Sequence, residues 1–364
     1  MATSATLLAK VAQVEALLAR CNQTLSSSTP AKSSTTPSTD APNPLLVLRD
    51  TAKLLRAHAT KIGLLLINEP FTPSAVQKEL AACEKLCVPS MVGAVGVVHP
   101  QMWTESLAKE ARLRVQAATG AFGILLADVR SKCQGGTVRV ESVQHKEKTL
   151  VSTGQVWEAC DALVELERRG LVDVVLKKAK EREDMIKDAL EELKEWREDE
   201  EEQDEGFVAG SDDDDDDDDR NSAEDLFAGG RLPAHREDIK ELFDAAFKQL
   251  KLVNMLFQAI IKRRAKTFTV PEYEDASRRS ERIARVTRAN DLLERMQAIG
   301  EGVDELAGAF YELNTEQAKT QLHSLVVSAH ALADSMQRSW EDGEDEFTGW
   351  SKKWKETMRK QERE

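Results

Sequence analysis

Apolar residues recur at three- and four-residue intervals along most of this chain, the period of helices that bury one stripe. Leu7, Leu8, Val11, Val14, Leu18 and Cys21 mark a first stripe, and Leu45, Leu48, Leu55, Ala59, Ile62 and Leu66 a second. Asn43-Pro44 supplies an N-cap followed by proline at the first helical position, and Thr72-Pro73 repeats that start for a third helix through Val76, Leu80, Cys83 and Cys87. Pro89 kinks or ends it, and Val92 to Val98 continues as a close-packed turn or helix. His99-Pro100 opens a helix of about 30 residues through Trp103, Leu107, Ala111, Val115, Ala118, Phe122, Leu125 and Val129.

Cys133 to Lys148 contains Gly135-Gly136 and an alternating Thr137-Val138-Arg139-Val140, and reads as a loop. Ser152 and Gln155 form an S-x-x-Q capping box ahead of Val156, Trp157, Cys160, Leu163 and Val164. After Gly170 a second helical stretch runs to about Asp199 with a thin stripe of Met185, Ile186, Ala189, Leu190 and Leu193, narrow enough to bury one side only. Ile239, Phe243, Ala246, Leu250, Val253, Phe257 and Ile260 define a strongly amphipathic helix that ends in the basic run Lys262 to Lys266, complementing its dipole. Pro271 precedes a long helix through Ile283, Val286, Leu293, Met296, Val303, Leu306 and Phe310. Asn314 and Gln317 read as an N-cap and N3 pair for a helix carrying Leu322, Leu325, Val326, Ala329, Leu332 and Met336. Phe347, Trp350, Trp354 and Met358 close the chain at helical spacing.

Composition agrees with helices and adds a boundary. Glycine and proline number 18 and 10 in 364 residues, and no proline falls between Gln101 and Leu232, so strands and tight turns are poorly supplied. Between Glu195 and Asp225, 18 acidic residues face two arginines, a net charge of −16 against −14 for the whole chain, which leaves +2 for everything else. The acidity therefore belongs to one segment, which includes the unbroken aspartates Asp212 to Asp219. The expected architecture is all-α, with antiparallel helix bundles in two domains. Residues 1–199 form an N-terminal bundle with a flexible Ser/Thr/Pro loop at 26–42, residues 200–230 an acidic disordered linker, and residues 231–364 a C-terminal helical domain.

Several function classes drop out. No G-x-x-x-x-G-K-[ST], G-x-S-x-G, H-E-x-x-H or post-strand G-x-G-x-x-G signature occurs, so no enzyme class and no cofactor is expected. Cys21, Cys83, Cys87, Cys133 and Cys160 form an odd set without paired spacing, which speaks for a reducing compartment and buried thiols rather than a disulfide framework or a zinc site. His323 and His330 share a helix face but have no acidic or thiol ligand at matching spacing. The longest apolar runs, Ile62 to Ile67 and Met91 to Val98, are too short to cross a bilayer. Lys10 and Glu15 interrupt any secretory signal core, and although the Ser/Thr-rich, acid-poor start has a presequence-like composition, its periodicity fits a bundle helix. Partners are expected to be proteins, with no direct nucleic-acid or membrane binding.

Four features can serve binding or regulation. The aspartate run either engages basic surfaces or acts as a solvated spacer. Ser211 and Ser222, with acids just C-terminal to them, suit an acidophilic kinase. Lys262, Arg263, Arg264 and Lys266 form either a nuclear import signal or a cationic helix end. Phe347, Trp350, Trp354 and Met358, opposite Lys352, Lys353, Lys355 and Lys360, suit either an amphipathic partner-binding or calmodulin-type helix or docking on the chain's own bundle.

The stretch Thr153 to Trp196 resembles the cyclin-D-binding protein family through Val156, Trp157, Ala159 and Cys160, then Lys187-Asp188-Ala189 with Glu191-Glu192. The order of helical domain, acidic segment and shorter helical domain is also similar. This resemblance implies bundles like those of vinculin and α-catenin and residence in nucleus and cytoplasm. It further implies binding to D-type cyclins and helix-loop-helix transcription factors, and negative regulation of cell-cycle progression. A non-enzymatic adaptor is therefore the expected function, with an acidic chaperone for basic nuclear proteins and a vinculin-like cytoskeletal linker as rivals. The Ser/Thr/Pro loop and the pure aspartate run depart from the family pattern.

Overall fold

The structure, a computed structural model, describes residues 4–26, 42–134, 141–204 and 236–363. Among them all regular elements are helical, and no strand occurs. The chain is all-α. Most of the 26–42 loop, residues 135–140, the run Asp212 to Asp219, Ser211 and Ser222 lie outside the described residues.

Two compact units divide the chain, one comprising Met1–Val174 with Val270–Thr287 and the other Val175–Thr269 with Arg288–Glu364. In the first, α1 (Ser4–Ser26) packs on α3 (Pro73–Ala82) and α6 (Glu105–Gln134), and α2 (Pro44–Ile67) packs on α3, α4 (Val88–Gly96) and α6. The predicted stripes are the core: Leu7, Val11, Val14, Leu55, Ala59, Ile62 and Val76 are fully buried. Asn43 caps α2, its side chain accepting from the Leu45 amide at 3.0 Å. Thr72 holds the matching position before α3 without capping it, because its hydroxyl donates to the Pro70 carbonyl at 3.2 Å instead. Pro89 does not end the third helix. A π turn at Cys83–Cys87 precedes α4, and this local widening absorbs the hydrogen bond that proline cannot make.

Three expectations need correction. The single helix predicted from His99-Pro100 is broken into α5 (Pro100–Trp103) and α6 by Thr104, which sits at φ 65° and whose hydroxyl oxygen accepts from the Leu107 amide at 3.3 Å. A buried threonine has replaced a continuous turn with a cap. The segment Cys133 to Lys148 is not a loop throughout, since α6 runs to Gln134 and α7 (Glu141–Asp204) begins at Glu141. Ser152 therefore lies inside a helix and caps nothing. Its hydroxyl donates to the buried Asp128 carboxylate at 2.6 Å, a partner 24 residues away that the local S-x-x-Q pattern does not reveal.

α7 is interrupted at Gly170, with φ 67° and ψ −170°. The stretch before it belongs to the first unit, tied to α2 and α6 by Arg49 to Glu167 at 3.3 Å and Ser152 to Asp128. Most of the stretch after it belongs to the second unit, so the division into compact units falls inside α7 and not at the acidic segment. The thin stripe is the reason: Ile186, Leu193 and Trp196 are buried, and the Trp196 ring meets Phe243 at 5.7 Å and Tyr311 at 5.5 Å. The second unit is completed by α8 (Glu237–Ile260), which packs on α10 (Thr315–Ser335) and α11 (Glu346–Gln361), and by α9 (Arg279–Tyr311) from Arg288 onward. Asn314 caps α10 through the Gln317 amide at 3.1 Å, as its spacing predicts.

Candidate functional site

The basic run and the aromatic tail, distant in sequence, meet in the second unit. After α8 the chain makes a π turn at Ile261–Ala265, which leaves Lys262, Arg263 and Lys266 exposed and turns Arg264 inward. The Arg264 guanidinium is fully buried, and all five of its N–H donors are used. Nε donates to the Met336 carbonyl at 2.8 Å, Nη1 to the Arg263 carbonyl at 2.8 Å and Asp345 Oδ2 at 2.6 Å, and Nη2 to the Gln337 carbonyl at 3.2 Å and Asp345 Oδ1 at 3.0 Å. Its Cζ lies 4.6 Å from the Phe347 ring centre. Bidentate pairing with Arg264 holds the Asp345 carboxyl below its ordinary range, helped by the amide of Thr348.

This arrangement corrects the import reading for Arg264, which no receptor can reach. The signal was present in the periodicity. Val253, Phe257 and Ile260 are buried, and Arg264 is the next position of the same stripe.

Of the two readings of the tail, the geometry gives docking on the chain's own bundle. Phe347, Trp354 and Met358 are buried within the unit, and Trp354 Nε1 donates to the Leu252 carbonyl of α8 at 2.8 Å. Their face is spent on the chain's own helices. Trp350 is half-buried and lines a cleft of about 290 Å³ with Ala259, Lys262, Arg263, Glu346 and Phe347. Arg263 and Glu346 form an ion pair at its rim.

A second surface, on the first unit, was not singled out by the sequence. Trp157 follows the buried Val156, and its ring stands on the outside at 36% exposure. It is held there by Nε1 donating to Thr60 Oγ1 at 2.9 Å and by the Arg56 guanidinium 5.1 Å above the ring. Arg56 also pairs with Asp161 at 3.2 Å. Leu64 on α2 and Leu150 and Val151 on α7 are exposed by 50%, 58% and 62%, so the α2 and α7 surfaces carry exposed apolar groups on the same unit as Trp157.

Nothing in the described residues gathers three metal-ligating side chains. His58 is paired with Glu79 at 2.6 Å and His330 with Glu362 at 3.0 Å. Cys83, Cys87 and Cys160 are buried, and burial pushes the Cys160 thiol up to about 12. No described helix is long and apolar enough to cross a membrane.

Residues 47–199 match the family model described as Grap2 and cyclin-D-interacting, N-terminal. This is the family that the Val156-Trp157-x-Ala159-Cys160 segment resembles. An uncharacterized protein of Schizosaccharomyces pombe is 25% identical over 322 residues, covering 88% of this chain and 85% of that one.

Proposed function

We propose that this chain, a member of the Grap2 and cyclin-D-interacting family over residues 47–199, is a non-enzymatic helical adaptor. It restrains cell-cycle progression in nucleus and cytoplasm by binding a D-type cyclin or a helix-loop-helix transcription factor. The observation that carries this reading is Trp157, an exposed tryptophan in the family-matched segment, fixed by Thr60 and Arg56 on a surface that also exposes Leu64. Tryptophan and arginine dominate binding energy where a partner excludes water from them, and here both are already ordered before any partner arrives. A partner helix with an apolar face fits such a surface.

The test is calorimetric titration of the full chain with a purified D-type cyclin and, separately, with a helix-loop-helix factor. Trp157→Ala is expected to weaken the productive pairing at least ~30-fold, the size of a hot-spot loss of about 2 kcal/mol, with an unchanged circular dichroism spectrum. Equal affinity of the variant and the parent chain would remove this surface as the docking site. Binding of neither partner class would remove the reading itself.

A further inference from the structure

We propose that the cleft between the π turn Ile261–Ala265 and the start of α11 is a second docking site, independent of Trp157, and that it takes an acidic protein segment carrying one large apolar anchor residue. The cleft floor is apolar: Ala259 and Phe347 form it, and the half-buried Trp350 ring supplies the remaining wall. At about 290 Å³ it has room for a single large side chain and not for a folded surface. Phe347 is locked by packing and by the Arg264 guanidinium, so the floor is rigid before binding.

The charge around the floor selects the partner. Glu346, the acid that lines the cleft, is neutralised by Arg263. Lys262 lines the same cleft and makes no ion pair among the described residues, so the lining keeps one uncompensated positive charge. An uncompensated ammonium group beside an aromatic pocket complements a carboxylate flanking an apolar side chain. A nucleic-acid strand is the poorer fit, because the guanidinium that would grip phosphate best, Arg264, is buried and fully bonded, and Glu346 stands at the mouth.

The probe is a dye-labelled synthetic peptide of aspartate and glutamate with one central Leu-Phe pair, followed by fluorescence anisotropy against the full chain at low salt. Saturable binding is expected, weakened about tenfold or more by Trp350→Ala, by Lys262→Glu and by replacing the Leu-Phe pair with Ser-Ser. Trp157→Ala should leave it unchanged, which separates this site from the adaptor surface. Lys262 is exposed, so Lys262→Glu tests the site even where Trp350→Ala perturbs packing. Indifference to both variants would overturn the proposal. So would equal competition from inorganic polyphosphate or an oligonucleotide, which would mark a general anion surface. Binding that emerges only when Asp212 to Asp219 are replaced by serine would assign the cleft to the chain's own acidic run and overturn a partner in trans.

Discussion

Arg264 and Asp345 form a bidentate pair, at 2.6 and 3.0 Å, in which both members hold helix ends as well as each other. Asp345 Oδ1 accepts from the Phe347 and Thr348 amides at 3.1 and 3.2 Å and so caps α11, while Arg264 takes the carbonyls of Met336 and Gln337 just after α10. One ion pair thereby fixes the ends of three elements, and the aromatic cleft is built on it.

Removing the guanidinium should therefore cost more than a surface charge. Arg264→Ala leaves Asp345 without its cation and the Met336 carbonyl without its donor, while the Gln337 and Arg263 carbonyls keep the Thr348 and Thr267 hydroxyls. The aspartate side chain is 33% exposed, so solvent screens part of the loss. The expected destabilisation is about 3 kcal/mol, read from urea unfolding. Arg263→Ala, on the exposed side of the same turn, is expected to change stability by less than about 1 kcal/mol. Similar effects from the two substitutions would contradict the clamp.

The same pair carries a pH signature. Because Arg264 depresses the folded-state value of Asp345, the contribution is fully present above the unfolded carboxyl value of about 3.9 and is lost as pH falls below it through the folded value. The urea midpoint of the parent chain should fall more steeply below about pH 4 than that of Asp345→Asn, which has no proton to take up there. Parallel curves would show that Asp345 contributes nothing to acid sensitivity.

A buried carboxylate in the first unit makes a comparable prediction through a hydroxyl. Asp128 has no exposure, accepts from Ser152 Oγ at 2.6 Å and lies 3.3 Å from the Lys148 ammonium. Ser152→Ala withdraws a donor from a charged, buried acceptor and should cost about 2 kcal/mol, and Asp128→Ala a similar amount. The double variant should lose less than the sum of the two, by about 1 kcal/mol or more in a double-mutant cycle. Strict additivity would mean that the bond contributes little.

These two polar pairs also mark where sequence reading stopped. The helical stripes, the Asn43 and Asn314 caps and the interruption at Gly170 were legible because each depends on residues within a turn or two of one another. The bonding of Arg264 depends on Asp345, 81 residues away, and the fate of Ser152 on Asp128, so neither partner is visible in a local pattern. Phe347, Trp354 and Met358 formed a correctly predicted stripe, but periodicity does not say whether a stripe meets its own bundle or a partner. The exposure of Trp157 was not legible, since Thr153 and Cys160, its neighbours on the helix surface, are both buried.

The break in α7 gives a final test in which two substitutions of one kind should act with opposite sign. Gly170 has φ 67° and ψ −170°, a region that residues with a Cβ rarely enter, and a Cβ placed there would meet nothing within 4 Å. Any penalty on Gly170→Ala is thus a backbone penalty, expected at about 1–3 kcal/mol. Gly154, on the same element, also leaves open space for a Cβ but lies within regular helix. Gly154→Ala should stabilise the chain by about 0.5–1 kcal/mol through helix propensity and reduced unfolded-state entropy. Thermal unfolding of the two variants decides the matter: a stabilising Gly170→Ala would mean that α7 runs straight through this position, and the division of the chain into two units would then have to lie elsewhere.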